Sequence, residues 1–251
     1  MARRLSRLVV AVAALPLLGG CANTSYGWSW YLFDPSTERG SNNLMFLAGG
    51  FWSTIQISVL AILLSTTAGL VIAILGMSKS RTARMINRGY VEFIRAIPLL
   101  VIALWVYYGL PIMLGIQLSV FAAGLLALAL GDSAFEAEVF RAGIQSIEKG
   151  QTEAARSLGL KGWQIMRLVI LPQAIRRILP ALGNQFIYVL KMSSLLSVIG
   201  YQDLTRRANE LTVTEYRPLE IYTILVLEYL VLIVIVSWLV RQMEHRLARA
   251  G

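Results

Sequence analysis

The sequence predicts an all-α protein, a polytopic membrane helical bundle with about five core transmembrane helices. Of its 251 residues, 57% are hydrophobic and 15% are charged, and the mean hydropathy is +0.64. A soluble domain ordinarily has about 25% charged residues. Several apolar runs, each near the roughly 20 residues that a bilayer span needs, follow one another along the chain. This pattern is typical of a protein that crosses a membrane repeatedly.

The N-terminal segment, residues 1–21, has the pattern of a signal or anchor. Three arginines precede the apolar stretch 8–20, which is too short for a spanning helix and suits a signal core. Leu18-Gly19-Gly20-Cys21 resembles a lipobox, in which the cysteine is lipidated after cleavage; the alternative is an uncleaved start with a chance cysteine. Residues 22–45, polar with interleaved aromatic residues, are expected to form an extracytoplasmic segment.

Five apolar runs within residues 46–246 predict transmembrane helices. Their cores lie at about 53–77, 91–114, 118–140, 179–200 and 221–240. Lysine and arginine, which are retained on the cytoplasmic side, indicate the orientation. The segments 1–7, 78–90, 141–178 and 241–251 together hold seventeen of them, whereas the alternate connections hold four. This distribution predicts a multi-pass protein with residues 22–52 outside and the C-terminal tail, 247–251, in the cytoplasm.

A stripe of small residues occurs in the third run. Ala123, Ala127 and Gly131 recur at four-residue spacing, which allows two helices to approach closely in lipid. The stripe predicts a packed helix face, although alanine and glycine are also common in membrane helices generally.

The longest predicted cytoplasmic connection, residues 141–178, contains a short helix at about 151–159. Thr152 is expected to cap its N-terminus, and Gly159 followed by Leu160 fits a left-handed C-terminal stop. Two turns are unstable alone in water, so the helix must pack against something. Ala154, Ala155 and Leu158 offer a small apolar face, which lies either on the protein itself or on a partner.

The same connection leads into a run too long for one span. Residues 168–199, 32 in number, would form about 48 Å of helix, against a hydrocarbon core of about 30 Å. We therefore expect a break near Pro172 or Pro180, with Arg176 and Arg177 at the cytoplasmic interface, facing phosphates or the loop.

Charged residues within the apolar runs are candidates for a functional site. By helical rise, Lys191 and Glu228 lie about 13 Å and about 11 Å from the outer face, whereas Asp132 lies about 21 Å deep. Intramembrane charges usually pair or line a polar path. Lys191 is therefore expected either to pair with Glu228 or, beside Ser193 and Ser194, to face a translocation path and meet a substrate carboxylate.

The cytoplasmic helix carries a family resemblance. Glu153-Ala154-Ala155, with Gly159 and then Leu171-Pro172, resembles the EAA loop of permease subunits of bacterial ATP-binding cassette (ABC) importers. Further motifs, in the same order, are similar to the polar amino-acid branch of these permeases: Arg95-Ala96-Ile97-Pro98-Leu99-Leu100, Ala134-Phe135 with Glu138 and Arg141, Gly150-Gln151, Gln173-Ala174, and Lys191 with Ser194-Leu195.

The resemblance implies a permease that moves a polar amino acid across the inner membrane. The EAA residues Gly150, Gln151, Glu153, Ala154, Ala155, Leu158 and Gly159 would contact the ATPase. No glycine in the chain is followed by lysine, so the chain lacks a phosphate-binding loop. ATP and magnesium would belong to a separate ATPase subunit, and this chain would bind no cofactor itself. The other implied partners are a second permease, identical or paralogous, an extracytoplasmic binding protein and membrane lipid.

Two alternatives are an integral-membrane enzyme and a scaffold, both without an ATPase partner. An enzyme would need converging reactive groups. His245 and Cys21 are each the sole residue of their type and lie at opposite ends, and Asp132, Glu136 and Glu138 share one helix without an evident base or metal. The net charge of +9 does not indicate nucleic-acid binding, because the positive residues lie between apolar runs. No metal site is expected.

Overall fold

A computed structural model describes residues 26–249, which are helical almost throughout and contain no strand in that range. The all-α prediction is therefore confirmed. The signal-like segment 1–21 with Cys21, the next four residues and the tail residues 250–251 lie outside the described part.

The chain divides into two units, residues 1–30 and residues 31–251. In the described end of the first unit, the Trp28 ring packs edge-on against Tyr26 and stacks on Trp30, with centroid distances of 5.3 Å and 5.4 Å. Aromatic rings attract one another in both arrangements. These rings belong to the aromatic-rich stretch that the sequence assigns to the extracytoplasmic side.

The second unit is built from helices, several of which are joined through tighter or wider turns. Short 3-10 helices lie at Trp30–Phe33 and Ser193–Ile199, and π-helical turns lie at Trp105–Gly109 and Met166–Ile170. The α-helices are α1 (Glu38–Met77), α2 (Arg81–Ala96), α3 (Leu99–Leu104), α4 (Leu110–Leu114), α5 (Val120–Gln145), α6 (Lys149–Ser157), α7 (Gly162–Ile165), α8 (Leu171–Met192), α9 (Leu204–Glu215) and α10 (Pro218–Arg249).

Three of these helices are long and apolar enough to cross a membrane: α1, α5 and the part of α10 from Pro218 to Arg246. A bent pair, α2 with Leu99–Leu114, makes up to four. The sequence predicted five spans. The predicted run 179–200 is not among them, because it is divided between α8 and a 3-10 helix and carries Asn184, Gln185 and Lys191 among its apolar residues. It nevertheless carries the chain from the C-terminal end of α5, where Arg177 contacts Ser146, to the N-terminal half of α1, where Leu204 contacts Thr54.

The predicted run 91–114 is not a straight span either. Its two halves meet at an angle of 98° between Ala96 and Leu99. Pro98 has no N–H to donate, and it disfavours helical backbone at Ile97, which is extended with φ −101° and ψ 127°. The bend places the start of α3 beside α5, where it forms one wall of the site described below.

The predicted break near Pro172 or Pro180 takes a milder form. Met166–Ile170 form a π-helical turn immediately before Leu171, and Pro180 lies inside α8 without ending it. The wider turn accommodates the missing N–H of Pro172. Arg177, on the same helix, donates to the carbonyl oxygen of Ser146 at 2.6 Å, so it contacts the end of α5.

The core lies where α1 packs on α5 through small residues. Ala61, Ala123 and Ala127 are fully buried in one apolar cluster. A Cβ added at Gly69 would lie 2.5 Å from the Cβ of Glu136, and one added at Gly131 would lie 2.7 Å from a methyl group of Leu99. The small-residue stripe therefore lies on packed faces of α5, against α1 and α3.

Helix α9 is held against α1 at both ends. Asp203 caps its N-terminus by accepting from Arg206 N at 2.8 Å. Next to the cap, Leu204 N donates to Thr54 Oγ1 at 3.2 Å. At the other end Glu215 forms a bidentate ion pair with Arg39. These contacts fix α9 to the N-terminal half of α1.

Candidate functional site

The candidate coupling helix is α6, which begins earlier than the sequence predicts. It runs from Lys149 to Ser157 with Glu148 at the N-cap position, and no side chain caps it. The expectation that Thr152 caps the helix was therefore wrong. Gly150 and Gln151 continue the helix instead of preceding it, because neither residue disrupts helical backbone enough to delay its start.

The C-terminal stop of α6 has the geometry that the sequence predicts. Gly159 has φ +78°, in the left-handed region where glycine is favoured. Its N–H donates to the carbonyl of Arg156 at 2.9 Å, and the N–H of Leu160 donates to Ala155 at 3.2 Å. This pair of bonds is a Schellman motif, which satisfies the last carbonyls of the helix.

The exposed face of α6 differs from the predicted apolar face. Ala155 is 4% exposed and packs on the protein, whereas Leu158 is 81% exposed. The side chains of Gln151, Glu153 and Ala154 are also exposed. Ala155 therefore anchors the helix to the rest of the protein. The other EAA residues form an exposed surface that is partly polar and partly apolar and includes Leu158.

A buried polar network joins three helices in the middle of the bundle. Asp132, on α5, is 4% exposed. It accepts from Ser65 Oγ of α1 at 2.6 Å and from Gln185 Nε2 of α8. The sequence identified Asp132 as an unusual intramembrane charge but did not identify its two partners. Ser65 and Gln185 are polar residues within apolar helices, and this could have indicated them.

One turn further along α5, Glu136 is completely buried. Neither of its carboxylate oxygens has a hydrogen-bond partner. The third carboxylate considered for an enzyme, Glu138, forms an ion pair with Arg141 at 2.5 Å. The three groups therefore do not converge on a reaction centre. No metal-ligand cluster occurs in the described part of the chain.

A cavity of about 280 Å³ lies at the bend between α2 and α3. Arg95, Asp132 and Tyr188 contribute polar groups to its wall. The Arg95 guanidinium lies over the Phe135 ring, 5.1 Å from its centroid, in a cation–π contact. The rest of the lining is mainly apolar: Ile94, Ile97, Leu99, Ile102, Leu128, Val189 and Met192. The structure thus brings a positive and a negative side chain to the wall of one partly open, otherwise apolar cavity.

Lys191 and Glu228 do not meet. Neither takes part in an ion pair in the described residues, and Glu228 Oε2 is buried without a hydrogen-bond partner. The predicted pair assumed α-helix through to Gly200, whereas the chain becomes a 3-10 helix at Ser193, which changes both rise and direction. The expected ion pair is therefore not formed.

Lys191 instead lines an open cavity of about 510 Å³ with Ser194, Thr205 and Tyr229. The hydroxyl of Ser194 donates to the carbonyl of Lys191 at 2.7 Å, and that of Ser193, which is buried, donates to Leu190 at 2.8 Å. Both serines therefore satisfy backbone groups at the end of α8.

The family model described as "binding-protein-dependent transport system inner membrane component" matches residues 65–249. Among curated relatives, the probable glutamine ABC transporter permease protein GlnM of Bacillus subtilis (strain 168) is 41% identical over 209 residues, 83% of this chain and 96% of the relative. The glutamine transport system permease protein GlnP of Escherichia coli (strain K12) is 35% identical over 206 residues, 80% and 92% of the two chains.

A solved structure described as an amino acid ABC transporter with histidines is also similar. It is 42% identical, with a TM-score of 0.78, and the match covers 82% of this chain and 96% of that one. The apolar helices, the short EAA helix and these matches define a membrane permease subunit of a transport system. The chain belongs to the family of binding-protein-dependent transport system inner membrane components.

Proposed function

We propose that the chain is the transmembrane subunit of an ABC importer that takes up a polar amino acid. The observation that carries the proposal is the near full-length similarity to two permeases named for glutamine transport. The cavity at the α2–α3 bend supports the same substrate class. Nothing in the described residues favours the enzyme or scaffold alternative.

The energy comes from a separate ATPase subunit, which binds ATP and magnesium. This chain contains no phosphate-binding loop. Helix α6 is the contact with that subunit, because its Leu158 is 81% exposed and two turns of helix end there in a defined stop. Short helices commonly bind a partner by laying apolar side chains into a groove on its surface.

The remaining partners and the orientation follow from the family and from the charges. A second permease copy or paralogue completes the membrane part, and an extracytoplasmic binding protein delivers the substrate. The excess of lysine and arginine in alternate connections supports a cytoplasmic C-terminus for α10 and spans in the inner membrane of a bacterium.

The cavity at the bend is the substrate site within the membrane part. Its volume, about 280 Å³, suits a single amino acid. Arg95 complements an α-carboxylate and Asp132 complements an α-ammonium group, since charge-assisted hydrogen bonds are roughly twice as strong as neutral ones. The side chain of the substrate would lie against the apolar wall.

The test is uptake of a panel of labelled amino acids into proteoliposomes that contain this chain, its ATPase subunit and its binding protein. We expect ATP-dependent uptake of a polar amino acid, reduced about tenfold to a hundredfold by Arg95→Gln, since a hydrogen bond to a charged group contributes about 1.5–3 kcal/mol. Arg241→Gln, an exposed arginine on α10, is the control. Failure to transport any amino acid would refute the substrate class, and unchanged uptake by Arg95→Gln would refute the site.

A further inference from the structure

A second cavity, of about 670 Å³, lies beside the polar face of α2. The end of α1 at Gly76 and the end of α5 at Gln145 form its other walls. Its charged lining consists of five arginines and two glutamates: Arg81, Arg84, Arg88, Arg95, Arg141, Glu92 and Glu138. The cavity therefore carries an excess of three positive charges.

The two glutamates are each engaged by one arginine. Glu138 pairs with Arg141 at 2.5 Å, and Glu92 lies 3.8 Å from Arg88. The second pair is a weak one, because the two side chains are 80% and 73% exposed. Arg88 thus retains most of its capacity to bind another anion.

Arg81 and Arg84 take part in no ion pair in the described residues. Arg84 donates to the carbonyls of Ser78 and Lys79 at 2.9 Å and 2.8 Å, so it supports the α1–α2 turn. Arg81 lies in the first turn of α2, at the positive end of the helix dipole. The cavity wall therefore combines guanidinium groups that lack a carboxylate partner with the N-terminus of a helix.

Helix α2 also presents an apolar surface beside this cavity. Arg81, Arg84, Arg88 and Arg95 recur at spacings of three, four and seven residues and so share one face. Met85, next to this stripe, lines the cavity and is 69% exposed. Ile86 and Phe93, on the opposite face of the helix, are 59% and 65% exposed. An arginine stripe beside exposed apolar residues is the pattern of a helix at the membrane interface.

We propose that this cavity binds the phosphate group of an anionic phospholipid, with the acyl chains leaving the cavity past Met85. Basic pockets between transmembrane helices are suited to anionic lipid head groups, and guanidinium binds phosphate in a bidentate manner. The apolar surface beside the cavity favours a lipid over free phosphate. The proposal uses the membrane placement of the family but not the identity of the transported substrate.

The test is native mass spectrometry of the purified complex of this chain with its ATPase subunit. Binding of phosphatidylglycerol is compared with binding of phosphatidylcholine, and millimolar inorganic phosphate serves as competitor. These wild-type measurements need no variant. Arg81→Gln with Arg88→Gln is then compared with Arg241→Gln and Arg246→Gln, which remove the same charge from exposed positions of α10.

We expect phosphatidylglycerol to bind in preference to phosphatidylcholine and to resist phosphate. The Arg81/Arg88 variant should bind it about thirtyfold more weakly, from the usual contribution of each arginine near an anionic surface, and the α10 variant should match the wild type. The proposal is overturned if the wild type shows no lipid preference, if phosphate displaces the lipid, or if both double variants bind equally. Because the readout is lipid binding, it is independent of whether amino-acid uptake is observed.

Discussion

Gly159 supplies the left-handed backbone that ends α6 after Ser157. Its φ of +78° lies in the left-handed region, and a Cβ there would meet no atom within 4 Å, so a side chain is opposed by backbone strain alone. For a residue other than glycine that strain costs about 1–2 kcal/mol. The stop is therefore sensitive to substitution although it is fully exposed.

We predict that Gly159→Val uncouples ATP hydrolysis from transport while the protein still folds. The valine distorts the Schellman motif and moves Leu158, on which contact with the ATPase depends. Gly162→Ala is the control, because Gly162 is also open to solvent but has no positive φ. Uptake and ATPase stimulation are measured together in liposomes, and normal coupling in the valine variant would show that the stop is dispensable.

Asp203, which lies outside the membrane spans, has a shifted pKa. Burial raises the pKa of this carboxyl from 3.8 to about 6, against the hydrogen bond that it accepts from Arg206 N. Because the pKa is higher in the folded protein, the protonated carboxyl stabilises the fold. This stabilisation is complete below about pH 4 and is lost as the pH rises through about 6. At neutral pH the cap of α9 thus holds a costly buried charge.

We predict that Asp203→Asn raises thermal stability at pH 7.5 and removes the part of its pH dependence between about 4 and 6, a contribution of up to about 3 kcal/mol. Asparagine caps helices as well as aspartate does. Asp34→Asn is the control, because hydrogen bonds from Ser36 lower the pKa of Asp34 and the expected pH effect has the opposite sign. A wild-type pH profile retained in Asp203→Asn would contradict the assignment.

Among the helices, α1 and α5 pack closely at Gly69. An added Cβ would lie 2.5 Å from the Glu136 Cβ and 3.0 Å from the backbone of Ser133 and Ala137. Backbone atoms cannot rotate away, so the helices themselves would have to separate. The fully buried Glu136 would then lose its enclosure.

We predict that Gly69→Ala destabilises the protein by about 1–3 kcal/mol, the usual cost of overpacking. Gly89→Ala, on α2 where a Cβ would meet nothing within 4 Å, should instead be neutral or stabilising by up to about 1 kcal/mol, because alanine favours helix. Thermal unfolding in detergent distinguishes the two. Equal stability of both variants would mean that α1 and α5 are not packed as described.

Sequence patterns predicted the helical class, the stop at Gly159 and the unusual character of Asp132. They did not predict the 98° bend at Ile97–Pro98, because apolar composition alone does not distinguish a bent run from a straight one. They also misplaced Lys191 relative to Glu228. The depths of Lys191 and Glu228 in the membrane were counted on ideal α-helices. The chain changes to a 3-10 helix after Met192, and composition does not reveal this local change in rise.

In the whole molecule, α8 connects the predicted ATPase contact to the cavity. It follows α6 through α7 and a π-helical turn, and its Gln185 donates to Asp132 in the cavity wall. A helix that is connected to one site through a short turn and is hydrogen-bonded to the other can bias both together. We therefore propose that ATPase motion enters this chain at α6 and reaches the cavity through α8.

The most direct measurement is photo-crosslinking from position 158 in the assembled transporter. A photoreactive amino acid replaces Leu158, and in a matched control it replaces Ile112, which is similarly exposed at 85% but lies in α4. The account predicts that position 158 crosslinks to the ATPase subunit and that position 112 does not. Crosslinking from position 112, or none from position 158 in a complex that still hydrolyses ATP, would contradict it.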